Sequence, residues 1–328
     1  MDKVLSGMQP SGPLHLGNLI GALSNWVRIQ NKYECYFFVA DWHALTTGYS
    51  NPSQIKDYTI DLLMNFIAAG LDPEKSTIFI QSQVPEHAEL HIFLSMITPL
   101  GWLERVPTYK EKKEQIKDKD LDTYGFLGYP VLQTADIIIY RAKYVPVGVD
   151  QIPHLEISRE IARRFNYLYG KEFFPEPEAL LTEFPKVPGV DGRKMSKSYG
   201  NAIYLSDDEK TVNEKIRTMV TDPARKRRTD KGDPQKCPVF DLHKIFSTEE
   251  ERKEVTSGCT TASIGCIDCK KILINHVIDT LKPIWEKRQK LIDNPSLLIE
   301  IAQEGSKKAR KVAGETLKGM KEVIGWIS

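Results

Sequence analysis

The chain has 328 residues, which predicts about two domains if a domain averages roughly 150 residues. Its 41% hydrophobic and 27% charged residues are typical of a folded globular protein and argue against a disordered chain. Lys and Arg total 45 against 44 Asp and Glu, so any surface that binds nucleic acid must be a local patch. No apolar run is long enough to span a bilayer, and residues 1–7 lack a signal-peptide pattern, so we expect a cytoplasmic protein without membrane contact.

Strand-like and helical patterns alternate through the first half of the chain. Short apolar runs that suit buried strands cover residues 3–8, 35–40, 77–81 and 144–149. Apolar residues recur at helical spacing from Leu16, from residues 51–53 to Gly70, across residues 87–97, and from Asp150 to Leu168. This alternation predicts the α/β class, with a Rossmann-like, doubly wound parallel sheet.

The second half of the chain has a different pattern. Residues 173–193 are rich in Pro and Gly and are predicted to cross between domains, after which the pattern is helical. We therefore expect the Rossmann-like domain at residues 1–187 and an all-helical domain at residues 188–328. The last helix, near residues 296–328, is a candidate for packing back on the first domain.

A glycine-bearing loop joins the first strand to the first helix. It reads Ser11-Gly12-Pro13-Leu14-His15-Leu16-Gly17-Asn18. Such a loop presents free backbone N–H groups and the positive end of a helix, which suits phosphate groups. It matches neither the dinucleotide-binding glycine pattern nor the Walker pattern. Taken alone, the segment is better interpreted as a turn rich in helix breakers with a solvated histidine.

A second loop carries the run Lys194-Met195-Ser196-Lys197-Ser198. Two ammonium groups on a glycine-flanked loop can reach a polyphosphate and neutralise charge on a leaving pyrophosphate. The alternative is an ordinary basic surface loop. Chance would produce this pentapeptide in only about one of several thousand chains of similar length, so the functional interpretation is favoured.

Four of the five cysteines cluster with the spacing C-x21-C-x6-C-x2-C: Cys237, Cys259, Cys266 and Cys269. A disulfide framework is disfavoured in a large chain of a reducing compartment, so the cluster predicts a metal site. The spacing leaves Zn²⁺ and an iron–sulfur cluster open, and the presence of one tight pair instead of two favours the iron–sulfur cluster. Cys35, in an apolar strand, is expected in the core.

The two loops together resemble the H-x-G-H-type and K-M-S-K-S elements of class I aminoacyl-tRNA synthetases. Asn18 stands where the first element ends in His. Within that class, residues 6–12, 15–18, 129–137 and 146–151 resemble tryptophanyl-tRNA synthetases of the bacterial type. The resemblance covers residues 1–220 with specific motifs and the helical remainder more loosely.

The resemblance implies activation of L-tryptophan with ATP and Mg²⁺, followed by transfer to tRNA(Trp), in a homodimer. It implies an ATP site formed by Gln9, Pro10, Ser11, His15, Gly17, Asn18, Gly148, Val149, Asp150, Val187, Lys194, Met195, Ser196, Lys197 and Ser198. The implied catalytic residues are Gln9, Lys194 and Lys197 of this set, together with Lys112. Lys112 is a further implied phosphate contact, although its charge run is equally consistent with a solvated surface.

Selection of tryptophan requires a buried acceptor for the indole N–H, the donor that phenylalanine lacks. Asp136, in an apolar stretch, matches the family position of this acceptor; a purely structural Asp is the weaker alternative, because an isolated buried carboxylate is costly. The other implied tryptophan contacts are Tyr129, Gln133, Ile137, His43, Val145, Val147 and Gln151. Gln133 replaces the Met of many bacterial members and adds a second polar group near the indole.

A minority of the family carries a 4Fe–4S cluster in the helical domain, and the resemblance therefore selects that cluster over Zn²⁺ for the four cysteines. The same domain receives the anticodon, so the basic run at residues 225–228 is a candidate phosphate contact, with a solvated face as the alternative.

Three rival interpretations are a tyrosyl-tRNA synthetase, a non-catalytic tRNA-binding relative and an iron–sulfur RNA-modifying enzyme. The run at residues 7–12 favours tryptophan over tyrosine. The intact 194–198 loop argues against a pure binder, and both ATP motifs argue against RNA modification.

Overall fold

The computed structural model describes residues 1–106, 109, 121–148, 151–181 and 186–327. Its strands are β1 (Lys3–Met8), β2 (Glu34–Val39), β3 (Ser76–Ile80), β4 (Tyr144–Val147) and β5 (Glu178–Leu181). They form one parallel sheet in the order β3-β2-β1-β4-β5, which confirms the predicted α/β class. In such a sheet the order reverses between β1 and β4, and ligands bind beyond the carboxyl ends of the strands at that point.

The helices of the first half surround this sheet. They are α1 (Leu16–Asn18), which continues through a π-helical turn (Leu19–Leu23) into α2 (Ser24–Ile29), then α3 (Asp41–Gly48), α4 (Ser53–Ala68), α5 (Glu86–Ile97), α6 (Leu100–Glu104), α7 (Tyr124–Ile138) and α8 (Ile152–Leu168). The later helices are α9 (Glu209–Thr218), α10 (Pro238–Phe246), α11 (Glu249–Thr261), α12 (Cys266–Ile292) and α13 (Pro295–Val323). Within the described residues, none of these helices is both long and apolar enough to cross a membrane.

One strand was not predicted. β5 lies inside the Pro- and Gly-rich segment 173–193, where the prediction was a crossing between domains. It is short and lies at the edge of the sheet beside β4, and Pro175 and Pro177 precede it directly. A short edge strand tolerates nearby prolines and needs little apolar patterning, so its sequence resembles a loop.

The sheet is buried on both faces. On one face Trp26 of α2 stacks on Phe37 with ring centroids 4.7 Å apart. On the other, Tyr36 stacks on Tyr140 at 4.6 Å. Adjacent residues of β2 therefore point to opposite layers, as the two-residue period of a strand requires. Cys35 is 1% exposed, which confirms its predicted place in the core.

The last helix packs directly against β3. At Gly305 of α13 an added Cβ would lie 1.8 Å from the carbonyl oxygen of Ile78, so the helix backbone rests on the strand backbone. Beside this contact the Ser306 hydroxyl donates to the side-chain oxygen of Gln83 at 2.7 Å. The end of the chain is thus attached to the same sheet as its beginning, while the domain boundary at residues 187 and 188 stays a prediction.

Replacing Gly305 tests this contact. Gly305→Ala should lower the free energy of unfolding by about 1–3 kcal/mol, because the methyl group collides with the Ile78 backbone. Gly314→Ala on the same helix is the matched control: nothing lies within 4 Å of its added Cβ, and it should raise stability by up to about 1 kcal/mol. Urea unfolding followed by circular dichroism measures both, and a shift of the same sign for the two variants would contradict the contact.

Candidate active site

A cavity of about 1780 Å³ opens at the carboxyl ends of β1 and β4. Its walls come from the end of β1, the end of β4 and one face of α7. Gly7 lies on this wall, where an added Cβ would come within 2.4 Å of the Phe38 ring, so the close approach of the two strands requires glycine. The cavity occupies the point where the strand order reverses, the usual ligand site of such sheets.

The cavity brings together most of the predicted site residues. From the ATP set they are Gln9, His15, Gly17, Asn18, Gly148, Val187, Lys194 and Met195. From the tryptophan set they are Tyr129, Gln133, Asp136, Ile137, His43, Val145, Val147 and Gln151. The structure does not place five others in its lining: Pro10, Ser11, Ser196, Lys197 and Ser198. The predictions for Lys112, Val149 and Asp150 fall outside the described residues.

Asp136 is 1% exposed and ends a network of buried donors. His43 Nε2 lies 2.7 Å and His87 Nδ1 2.6 Å from its carboxyl oxygens, and Gln81 Nε2 donates at 2.8 Å. Burial alone would raise the pKa of Asp136, but the hydrogen bonds from the two histidines outweigh it and hold the pKa below its ordinary value. The group is therefore a fixed negative charge on the cavity wall.

This carboxylate keeps acceptor capacity for a ligand. An ionised carboxylate offers about four lone-pair positions, and three protein donors occupy part of them. His87 is itself oriented from behind, because its Nε2 lies 2.6 Å from the Tyr140 hydroxyl. Gln81, His87 and Tyr140 were not predicted as site residues. Of the three, only Gln81 has a sequence signal, its position directly after β3.

The two predicted loops lie side by side. Lys197 Nζ donates to the carbonyl oxygen of Gly12 at 2.9 Å and reaches Ser11 Oγ at 3.4 Å. The Asn18 side chain accepts the backbone N–H of His15 at 3.1 Å, which fixes the start of α1. Residues far apart in the chain thus form one cationic corner beside the cavity.

His15 is buried in this corner with 8% of its surface exposed. Burial, and then the charges of Lys197 and Lys194, lower the pKa of His15 to about 4. Its Nδ1 has no hydrogen-bond partner among the described residues. An added Cβ on Gly17 would lie 2.9 Å from the imidazole, so glycine is required for the ring to occupy this position. A neutral histidine with an open ring nitrogen is suited to a polar ligand.

A small hairpin presents the 194–198 loop. Met195 N–H donates to the Val187 carbonyl at 2.9 Å at its base. Asn201, 2% exposed, holds the loop from inside: its Oδ1 accepts the Ser196 N–H at 2.8 Å, and its Nδ2 donates to the Lys194 carbonyl at 3.2 Å. Asn201 was not predicted as a site residue, because an asparagine just after a motif has no distinctive sequence pattern.

The four clustered cysteines lie at the junction of three helices. Cys237 precedes α10, Cys259 lies in the last turn of α11, and Cys266 and Cys269 begin α12. All are free thiols, and burial followed by the neighbouring thiols raises the pKa of Cys269 to about 12. In the part of the chain that the structure describes, no group of three or more His, Cys, Asp or Glu is arranged to hold a metal ion. The predicted metal site is therefore not shown.

Arg225 departs from the prediction for the basic run at residues 225–228. Its side chain is buried, and its Nη2 donates to the carbonyl oxygens of Arg228 at 3.1 Å and Ile264 at 2.6 Å. Its Nη1 lies 3.8 Å from Cys259 Sγ. Arg225 thus stabilises the loop beside the cysteines, and only the other three members of the run are exposed.

Comparison with known proteins gives consistent matches. A family model described as tRNA synthetases class I (W and Y) matches residues 2–282. A tryptophan–tRNA ligase of Thermotoga maritima is 56% identical, with 98% of each chain covered, and that of Ralstonia nicotianae is 47% identical, with 99% of this chain and 98% of the other covered. The crystal structure of tryptophanyl-tRNA synthetase from Campylobacter jejuni with ADP and tryptophan gives a TM-score of 0.89 at 39% identity, covering 98% and 99% of the two chains.

Sheet order, cavity position and the family model together define a class I tRNA synthetase. The two relatives, matched over nearly their full length, narrow the class further. The chain belongs to the tryptophan–tRNA ligase family, as the resemblance of its motifs predicted.

The lowered pKa of His15 predicts a pH dependence of stability. Between pH 6.5, the ordinary pKa of histidine, and about pH 4, His15 is protonated in the unfolded chain but stays neutral in the folded protein. The free energy of unfolding therefore decreases as the pH falls through this range. His15→Gln should therefore lose less stability than the wild type between about pH 7 and about pH 4.5. Urea unfolding at both pH values measures the difference, and equal losses would show that folding does not lower the pKa of His15.

Proposed function

We propose that the cavity between β1 and β4 catalyses ligation of tryptophan to tRNA(Trp) in two steps, activation by ATP and transfer to the tRNA. The observation that carries the proposal is the convergence of the buried Asp136 carboxylate and the start of the 194–198 loop, Lys194 and Met195, on one cavity. One wall offers an acceptor for an indole N–H, and the other offers cations for a polyphosphate.

The ATP half of the site faces the two loops. Adenosine lies near Gly148 and Val187, and the triphosphate extends toward Lys194 and Lys197. The open Nδ1 of buried His15 supports a polar ligand at this position. The remaining contacts of the set are Gln9, Pro10, Ser11, Gly17, Asn18, Met195, Ser196 and Ser198, together with Lys112, Val149 and Asp150.

The tryptophan half lies against α7 and the end of β4. Asp136 accepts the indole N–H with the capacity that His43, His87 and Gln81 leave free. The walls around the ring come from Tyr129, Gln133, Ile137, His43, Val145, Val147 and Gln151. Because Asp136 is held by neighbours on both oxygens before substrate enters, it is a preorganised selector.

In the first step a carboxylate oxygen of tryptophan attacks the α-phosphorus of ATP, and the bond to pyrophosphate breaks. Lys194 and Lys197 neutralise the charge that grows on the leaving pyrophosphate, and Gln9 orients the reacting groups. Mg²⁺ enters with ATP as part of the substrate and screens its phosphates. In the second step a ribose hydroxyl at the end of the tRNA attacks the adenylate carbonyl, and AMP leaves.

Exchange of pyrophosphate into ATP with each of the twenty amino acids tests the assignment, and tryptophan alone should support it. A benzothienyl analogue of tryptophan, which has sulfur in place of the indole N–H, tests the selector. The wild type should prefer tryptophan in kcat/KM by about tenfold to a hundredfold, and Asp136→Ala should lose most of that preference.

The readout is the ratio of the kcat/KM values of two substrates measured on the same variant. A smaller fraction of folded protein lowers both values equally and therefore cancels from the ratio. An unchanged preference in Asp136→Ala would remove Asp136 as the acceptor. Exchange with tyrosine in the wild type would overturn the whole assignment.

The proposal includes a 4Fe–4S cluster at the four cysteines, with Zn²⁺ as the alternative. Its support is the donor set: free thiols at the ends of three helices, where burial and also the neighbouring thiols raise the pKa of Cys259 and Cys269. The described arrangement does not itself form a ligand group, so binding requires the thiols to move together. The cluster is structural in this proposal, and no step of the reaction involves it.

Iron, acid-labile sulfide and zinc are measured on protein purified without oxygen, for the wild type, Cys269→Ser and the control Cys35→Ala. We expect iron and sulfide in the wild type and the control but not in Cys269→Ser, which should impair tRNA charging more than pyrophosphate exchange. Zinc alone would select the alternative. Absence of both metals from the wild type would refute the site.

Partner contacts complete the proposal. In this proposal the exposed cations of residues 226–228 contact phosphates near the anticodon of the tRNA, and residues 188–328 are the tRNA-binding domain. Ile92, Met96 and Leu100 form an exposed apolar surface on α5 and α6 that suits a homodimer, and sedimentation velocity of the purified chain tests this.

Five free thiols favour the reducing cytoplasm.

A further inference from the structure

Lys270, near the start of α12, is a buried charged side chain with 5% of its surface exposed. Its ammonium Nζ donates to the carbonyl oxygens of Arg217 at 2.8 Å and Met219 at 2.5 Å. These oxygens lie at the C-terminus of α9, where carbonyls lack helical donors and carry partial negative charge. Lys270 therefore attaches α12 to the end of α9, well outside the cavity residues described above.

The residue after that helix end contacts the hairpin of the 194–198 loop. Val220 N–H donates to the Val190 carbonyl at 3.0 Å, and Val190 N–H donates to the Asn201 carbonyl at 2.9 Å. Gly192 fits closely against the same point, since an added Cβ there would lie 3.2 Å from Val220 Cγ2. The end of α9 and the base of the hairpin are thus joined through backbone groups, which have little freedom to shift separately.

Asn201 continues the connection to the reactive lysines, because its side chain holds the Ser196 N–H and the Lys194 carbonyl. α9 is also fixed to this region along its length. The ammonium of Lys215 donates to the Ala202 carbonyl at 3.0 Å and to Asp207 at 2.6 Å. The position of the loop therefore depends on where α9 sits, and Lys270 holds one end of α9.

We propose that Lys270 is a positioning residue for tryptophan activation. By holding the C-terminus of α9, it sets the position of the 194–198 loop over the phosphates. This inference rests on the role proposed above for that loop. It touches no substrate. Without its ammonium, the end of α9, the hairpin base and Asn201 gain freedom together. The activation step, which needs both lysines in place, should slow, while the tryptophan pocket on α7 stays intact.

The test compares Lys270→Met, which keeps the apolar stem, with Lys271→Met and Lys270→Arg. Lys271 is the matched control, because it is exposed and its ammonium lies 3.3 Å from Asp268 on the same helix. Lys270→Met should lower kcat of pyrophosphate exchange by about tenfold to a hundredfold and leave KM for tryptophan within about twofold. Lys270→Arg should restore part of kcat, and Lys271→Met should match the wild type.

Hydrogen exchange of the ligand-free protein provides a readout independent of activity. The amides of Val190, Ser196 and Val220 should exchange faster in Lys270→Met than in Lys271→Met, while amides of α7 should not change. Should Lys270→Met not fold, Lys270→Gln carries the same measurements, because its amide can still donate to one carbonyl.

Equal changes in kcat and KM in Lys270→Met would show that Lys270 is merely structural and would overturn the proposal. Uniformly faster amide hydrogen exchange throughout the Lys270→Met chain would do the same. Lys197→Ala separates the two levels of inference. If Lys197→Ala loses pyrophosphate exchange while Lys270→Met behaves like the wild type, only the role of Lys270 is rejected. Full activity in Lys197→Ala rejects the role of the loop itself.

Discussion

The site depends on a short backbone pairing between two remote segments. Leu16 N–H donates to the Ile203 carbonyl at 3.0 Å, and Leu205 N–H donates to the Leu14 carbonyl at 2.8 Å. These two hydrogen bonds bring the loop after β1 against the loop that carries the lysines, so that Lys197 reaches Gly12. Since the entropy of closing a loop rises only slowly with its length, such a distant pairing is accessible once the sheet and α9 are packed.

Asp136 shows a different way of building a site. An unpaired buried carboxylate would be strongly destabilising, yet here donors from α3, α5 and the turn after β3 converge on one carboxylate of α7. The charge is compensated by hydrogen bonds that also fix its direction. In the role proposed for Asp136, selectivity and stability therefore rest on the same contacts, and a substrate donor would meet an acceptor that needs no rearrangement.

Local sequence patterns predicted much of the fold and part of the candidate site. The apolar runs predicted four of the five strands, and the two loop motifs predicted a shared phosphate corner. β5 escaped because an edge strand flanked by prolines has no distinctive pattern. Four polar residues were not predicted from the sequence: Gln81, His87, Asn201 and Lys270. Each contacts partners that are distant in sequence, and a single polar residue in a helix or loop does not reveal such partners. Arg225 was misjudged since a basic run gives no sign that one member turns inward.

The π-helical turn between α1 and α2 has a geometric consequence. A π turn holds one more residue than an α-turn, which offsets the side chains before and after it by about 100° around the helix axis. The small residues Gly21 and Ala22, which lie within the turn, line the cavity beside His15, and Trp26 beyond it both lines the cavity and stacks on Phe37 in the core. Two small residues within the wide turn and a large aromatic ring beyond it thus contribute to one cavity, and the same ring also packs in the core. A single-residue deletion here would not merely shorten the helix; it would rotate the loop of residues 11–18 by about 100° relative to the core side chains that follow the turn.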